Sequence, residues 1–310
     1  MRRGLVVFGL CGVIVAALLR VAEERWAGAA PLSRVLLLGV AGVVPFCLAV
    51  LPQAGPDEAR IRRLTRFVLP VAAALGAVSL FVPTGPGGLW ASGWMGFSIL
   101  AALLGVAQLA RGRLRSAPHA LSAAALIYLP VGAAWLVAAR MGIRPLGFDP
   151  MIVTLTAIHF HFAAVGATML SARTAASLEP GRARRVAVGA GVGIVVAQPV
   201  VALGITLSAW LGLLGAALLA ASLLALSGVV LLAVRGRLES RLAIVLLSVS
   251  ALSVFLSMPL AVIYAVGQLI DHDPLGLEWM VRLHGYANAH GVVTCGLLGW
   301  AAEDRVSRPL

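Results

Sequence analysis

The sequence contains no lysine, and only 12% of its residues are charged. Soluble domains carry about 25% charged residues, so the composition excludes a soluble globular domain. The hydrophobic fraction is 61% and the mean hydropathy is +1.00. A soluble fold of 310 residues cannot bury that much apolar surface, so we predict an all-α, polytopic transmembrane helix bundle.

Cysteine and intramembrane carboxylates are also scarce. The three cysteines, Cys11, Cys47 and Cys295, lie inside apolar runs at no metal-ligand spacing, which argues against a cysteine-rich zinc site. No aspartate or glutamate falls within a long apolar run. This argues against the usual carboxylate-rich di-iron or hydrolytic metal centre.

Apolar runs near the length of about 20 residues that crosses a bilayer predict ten spans in one integral-membrane domain, residues 1–310. Residues 186–234 carry no charge and are too long for one span, so we predict a tight turn near Ser208 and Trp210. The first span is predicted to stay uncleaved. The predicted spans are 4–22, 34–52, 66–83, 89–110, 118–139, 150–172, 186–207, 210–234, 241–269 and 280–301.

All 24 basic residues are arginines, in short clusters between apolar runs. If the N-terminus is cytoplasmic, eighteen of them lie on inner segments and six on outer ones, which predicts that both termini are cytoplasmic. The same clustering argues against nucleic-acid binding, so the expected partners are membrane lipids and a small-molecule or lipophilic substrate. The six outer arginines are Arg20, Arg25, Arg34, Arg140, Arg144 and Arg282.

Histidines occur within two predicted spans. His159 and His161 lie near the middle of the sixth, about 200° apart around an α-helix, so we expect them to face two different neighbours. His284, Asn288 and His290 lie in the outer half of the tenth. His284 and Asn288 share one helical stripe with Gly291 and Cys295. The two clusters are at similar depth and could share a site.

Other polar residues sit at comparable depth. Asp149 stands at the outer mouth of the sixth span, Gln198 lies in the seventh, and Tyr264 lies in the ninth. Pro199 and Pro259 are predicted to break their helices and to free backbone carbonyls toward the interior.

The segment "PLGFDPMIVTLTAIHFHFAAVG", followed by "HGYANAHG", resembles the YndJ-like family of bacterial membrane proteins over roughly residues 140–300. The resemblance implies that His159, His161, His284 and Asn288 matter together, in a bacterial cytoplasmic membrane. It does not specify an activity. The His-Phe-His element is also similar to a haem-ligating helix of haem–copper oxidases, but the adjacent His-His pair and the other motifs of those enzymes are missing.

Ionisable groups at membrane depth favour a functional hypothesis. One hypothesis is a site on a small or lipophilic substrate, either acid–base, with His159, His161, His284 and Asn288 as catalytic residues, or metal-binding. Its metal ligands would be His159, His161, His284 and His290, with a transition metal favoured over haem as the cofactor. The alternatives are a transporter of a small solute or ion, and a structural or sensing protein whose histidines hold helices together.

Overall fold

The computed structural model describes residues 2–21, 31–51, 58–110 and 116–307, and within these ranges it contains helices and turns but no strand. Arg25, Arg111, Arg113, Arg115 and Arg308, which enter the arginine count, lie outside the described residues. The ten helices of the described residues are α1 (Arg2–Val21), α2 (31–50), α3 (Glu58–Ser79), α4 (Pro86–Ala110), α5 (Ala117–Met141), α6 (Pro150–Ala176), α7 (Arg182–Leu207), α8 (Ala209–Arg237), α9 (Arg241–Leu269) and α10 (276–306).

Each of these helices overlaps one predicted span, and seven of those found in the described residues are long and apolar enough to cross a membrane. The seven are α2 and α4 to α9. In α1 the apolar part is the shorter stretch Gly4–Ala17. The chain is therefore a multi-pass helical membrane protein. The described residues form ten helices, as many as the predicted spans, but seven of these helices are long and apolar enough to cross a membrane.

Helix α3 begins and ends earlier than predicted, at Glu58 and Ser79 instead of residues 66 and 83. Its end is fixed by Arg140 of α5, whose Nε donates to the carbonyl of Ser79 at 2.8 Å. The same guanidinium donates to the carbonyl of Val82 in the following turn. A cation placed here satisfies carbonyl groups that the last helical turn leaves without partners.

The prediction that Pro199 and Pro259 break their helices is wrong. Helices α7 and α9 run continuously through these prolines, as α3 and α5 run through Pro70 and Pro130. Proline is tolerated inside membrane helices because neighbouring groups and small local adjustments can satisfy the carbonyl that loses its N–H partner.

Several helices contain π-helical segments, in which the backbone is wound more loosely than in an α-helix. Fewer than about 1% of residues in ordinary proteins are π-helical, and such segments are frequent at functional sites. Two of the segments in this chain contain His161 and His284. The segments are Gly39–Val43 in α2, Phe160–Ala167 in α6, Val230–Val234 in α8, and Met280–Gly285 and Ala287–Thr294 in α10.

The chain divides into two compact units. The first consists of Met1–Arg115 and Ser122–Gly166. Within it α1 packs on α2, α3 pairs with α4, and α2 contacts the first part of α6. Its interior holds Trp94 and Phe97, both of which are buried, with ring centroids 5.0 Å apart.

The second unit consists of Ser116–Leu121 and Ala167–Leu310. Within it α7 and α8 form a hairpin, α9 packs on α8, and α10 packs on α9. The predicted turn between the seventh and eighth helices is confirmed, because the chain is extended at Ser208 (φ −166°, ψ 128°). Next to this turn, the backbones of Gly204 and Gly212 are in close contact.

We predict that Gly204→Ala destabilises the protein by roughly 1–3 kcal/mol, because the added methyl group would overlap the backbone of Gly212. Gly189→Ala, in the same helix, is the control, because no atom lies within 4 Å of a methyl group there. It should be neutral or stabilising by up to about 1 kcal/mol. Thermal unfolding of the detergent-purified variants measures both effects, and equal midpoints would contradict the close contact.

Candidate functional site

His161 is fully buried in the first unit, and both of its ring nitrogens are hydrogen-bonded. The indole Nε1–H of Trp94 donates to Nε2 of His161 at 2.9 Å. Nδ1 of His161 lies 2.8 Å from the carbonyl oxygen of Ala157, one turn earlier in α6. The two aromatic rings are stacked, with an interplanar angle of 22°.

These partners determine the tautomer of His161. An indole N–H can only donate, and a carbonyl can only accept. Nε2 therefore carries the lone pair, and Nδ1 carries the proton of a neutral ring. With both nitrogens engaged and the ring inaccessible, His161 has no lone pair left for a metal or a substrate in this arrangement.

Two glycines make room for the His161 ring. A methyl group on Gly132 of α5 would lie 2.9 Å from Nδ1 of His161, and one on Gly39 of α2 would lie 3.3 Å from its Cβ. Contacts closer than about 3.4 Å at such a carbon require the neighbour to move. The site therefore depends on small residues on two helices that sequence inspection did not connect with the histidine.

His159 has different surroundings in the first unit. It is half-buried, and its ring lies edge-on to Phe160, with centroids 6.2 Å apart and an interplanar angle of 81°. It is thus more accessible than His161, although only one residue separates the two in sequence.

His284 lies in the second unit, where α10 packs on α9. Its Nδ1 is 2.9 Å from the carbonyl oxygen of Ser257. Asn288 follows one turn later and donates through Nδ2 to the carbonyl of His284 at 2.8 Å. The hydroxyl of Ser257 donates to Oδ1 of Asn288 at 3.2 Å, which closes a small polar network.

The network also determines the tautomer of His284. Because the carbonyl of Ser257 can only accept, Nδ1 of His284 must carry the proton. The amide nitrogen of Asn288 lies 3.2 Å from the same Nδ1. Because both groups are then donors, the amide donates to the backbone carbonyl of His284 instead. The polar contacts of His284 thus involve Nδ1, and Nε2 keeps its lone pair.

Further along α10 from this network, glycines of α10 pack against serines of α9. Side-chain atoms of Ser253 would clash with a methyl group on Gly291, and Oγ of Ser250 would lie 2.8 Å from one on Gly296. Ser250 also donates to the carbonyl of Val292 at 2.6 Å. Gly291 of the predicted stripe thus packs against a side chain of α9. Gly296 lies opposite Ser250, whereas α-helical periodicity had placed Cys295 on the stripe.

The structure gives each of the other candidate residues different surroundings. Asp149 is exposed and caps α6, accepting from the N–H of Met151 at 2.8 Å. Gln198 is buried and donates to the carbonyl of Ile194 at 3.1 Å. Tyr264 is half-buried on α9, about two turns from Ser257. His290 is exposed, with its ring 6.1 Å from that of Tyr286.

The proposed metal ligands fall into both units, with His159 and His161 in the first and His284 and His290 in the second. Within either unit, the described residues include no group of three or more His, Cys, Asp or Glu side chains placed to hold a metal ion. Together with the hydrogen bonds of His161, this gives the metal hypothesis less support than the acid–base one.

Sequence inspection missed the two partners that define these sites, Trp94 and Ser257. Trp94 is 67 residues from His161, and no local pattern connects them. Ser257 lies two residues before Pro259. A polar residue this close to a proline in an apolar run is a signal that could have identified Ser257 as part of the site.

The family model for YndJ-like proteins matches residues 34–292 of the chain. The chain is also similar to a protein of Bacillus subtilis (strain 168) described as an uncharacterized membrane protein YndJ. The two are 25% identical over 270 residues, which is 87% of this chain and 47% of the relative. The chain therefore spans about half the length of the curated relative that it matches. No solved structure matches the chain.

We predict that Trp94→Phe lowers the free energy of unfolding by roughly 1–3 kcal/mol, because Nε2 of His161 would be left buried without a donor. Trp90→Phe is the control, since Trp90 lies one turn earlier on α4 and its side chain is 43% exposed. The measurement is thermal unfolding in detergent. If the two variants unfold at the same temperature, the Trp94–His161 hydrogen bond does not stabilise the fold.

Proposed function

The chain belongs to the YndJ-like family of multi-pass membrane proteins, and we propose that it carries an acid–base site centred on His284. The substrate is a small or lipophilic molecule, and the reaction requires proton transfer, as in an isomerisation or a cyclisation. The observation that carries the proposal is the Nδ1–H of His284 anchored on the Ser257 carbonyl, which leaves the basic Nε2 available.

A neutral imidazole with one nitrogen anchored is suited to general-base chemistry. The anchor fixes the tautomer and the ring orientation, while the other nitrogen accepts a proton from the substrate. His284 is half-buried, so its ring is held by protein without being closed off as His161 is.

Asn288 and Ser257 are the positioning residues of this site. Asn288 binds the backbone carbonyl of His284, and Ser257 holds both the ring of His284 and the amide of Asn288. The π-helical winding of Met280–Gly285 and Ala287–Thr294 supports a functional role for this stretch, because such segments are frequent at functional sites.

The arginine distribution supports a location in the bacterial cytoplasmic membrane with both chain ends in the cytoplasm. In this orientation His284 lies in the outer half of the bilayer, and the substrate reaches it from the lipid or from the outer face. Arg140, one of the six arginines on the outer side, is accounted for by its bonds to the end of α3.

The acid–base role is tested by replacing His284 with Asn, whose amide retains a donor near the position of Nδ1 but has no basic nitrogen. Metabolites and lipids are profiled in a strain lacking the gene and complemented with wild type, His284→Asn or His272→Ala. His272, exposed in the loop before α10, is the control. We expect a compound that accumulates in the deletion strain to be cleared by wild type and by His272→Ala but not by His284→Asn.

Full complementation by a folded His284→Asn protein would show that proton transfer at His284 is not the function. A compound that changes its distribution across the membrane without being converted would instead favour transport of a small solute or ion.

The orientation predicts which loops are accessible from outside. In a variant without Cys11, Cys47 and Cys295, we expect Thr84→Cys to react with a membrane-impermeant thiol reagent in intact cells. Glu179→Cys should react only after the membrane is permeabilised. Both positions are exposed in turns between helices, so each serves as the control for the other. The reverse labelling pattern would invert the orientation.

A further inference from the structure

A small cavity lies inside the second unit, between α6, α8, α9 and α10, with a volume of about 20 Å³. Leucine, valine and alanine side chains form most of its wall. The polar residues that line it come from four different helices and are all buried: Thr174, Ser227, Ser250 and Trp300.

Trp300, which lines this cavity, carries an unsatisfied donor. Its side chain is 1% exposed, and its indole Nε1–H has no acceptor among the residues that the structure describes. The ring is held in place by Arg173, whose guanidinium lies 4.3 Å from its centroid, and Arg173 is itself paired with Asp304 at 2.6 Å. A buried N–H without a partner is rare in folded proteins.

The three hydroxyl groups provide the complementary acceptors. Ser250 donates its hydrogen to the carbonyl of Val292, so its oxygen is free to accept. Thr174 and Ser227 also line the cavity, and each hydroxyl can both donate and accept.

We propose that this cavity is a binding site for one ordered water molecule, which accepts from the indole N–H of Trp300 and donates to the surrounding hydroxyl oxygens. A site that holds water needs roughly 10–15 Å³ and two to four polar partners, and this cavity meets both conditions.

The bound water has a structural consequence, because it connects four helices. The water joins the last turns of α10 to α6, α8 and α9. The other side chains that line the cavity are apolar.

The test is the hydrogen-bonding state of the Trp300 indole, read from its ultraviolet resonance Raman N–H band. In wild type and in each variant, this band is the difference between the spectra without and with the additional change Trp300→Phe. Ala251 lines the cavity, and Ala251→Val fills it with two additional carbons. We expect the wild-type band at the frequency of a hydrogen-bonded indole, and a shift to the non-bonded frequency in Ala251→Val. Ala261→Val, on the same helix and half-buried, is the control and should leave the band unchanged.

A non-bonded frequency in wild type would show that the cavity is dry. A bonded frequency that persists in Ala251→Val would show that the acceptor is not in the cavity. Either result overturns the proposal. If Ala251→Val does not fold, Ser227→Val fills the same cavity from α8 and is read in the same way.

Discussion

The structure depends on the absence of water from the hydrocarbon interior, where each polar group must find its partner within the protein. Three hydrogen bonds between helices of the described spans illustrate this constraint. Arg140 binds carbonyls at the end of α3, Ser250 binds a carbonyl of α10, and Trp94 binds His161. Because each of these bonds joins two helices, satisfying polar groups and assembling the bundle are the same process.

The same constraint separates the histidines into two chemical types. His161 uses both nitrogens and is closed off by Trp94, Gly39 and Gly132, so we infer that it contributes to packing. His284 uses one nitrogen for orientation and keeps the other. A histidine pattern in a sequence therefore does not identify the reactive residue. The acceptors and donors around each ring show which of its nitrogens keeps a lone pair.

Sequence reasoning predicted the helical bundle and the turn at Ser208, because hydrophobic length and the absence of charge determine both. It did not predict that α7 and α9 would pass through Pro199 and Pro259, since tolerance of proline depends on neighbouring helices. It also assumed α-helical periodicity in α10, where π-helical winding brings Gly296 opposite Ser250. The partner of His161 could not be predicted because Trp94 is distant in sequence and carries no motif.

The hairpin of α7 and α8 has a consequence for biogenesis. Only Ser208 separates the two apolar helices, so there is no polar loop whose passage would divide their insertion into two events. The close approach of Gly204 to Gly212 brings the two helices together directly beside this turn. We therefore expect α7 and α8 to enter the bilayer as one hairpin instead of as two separate helices.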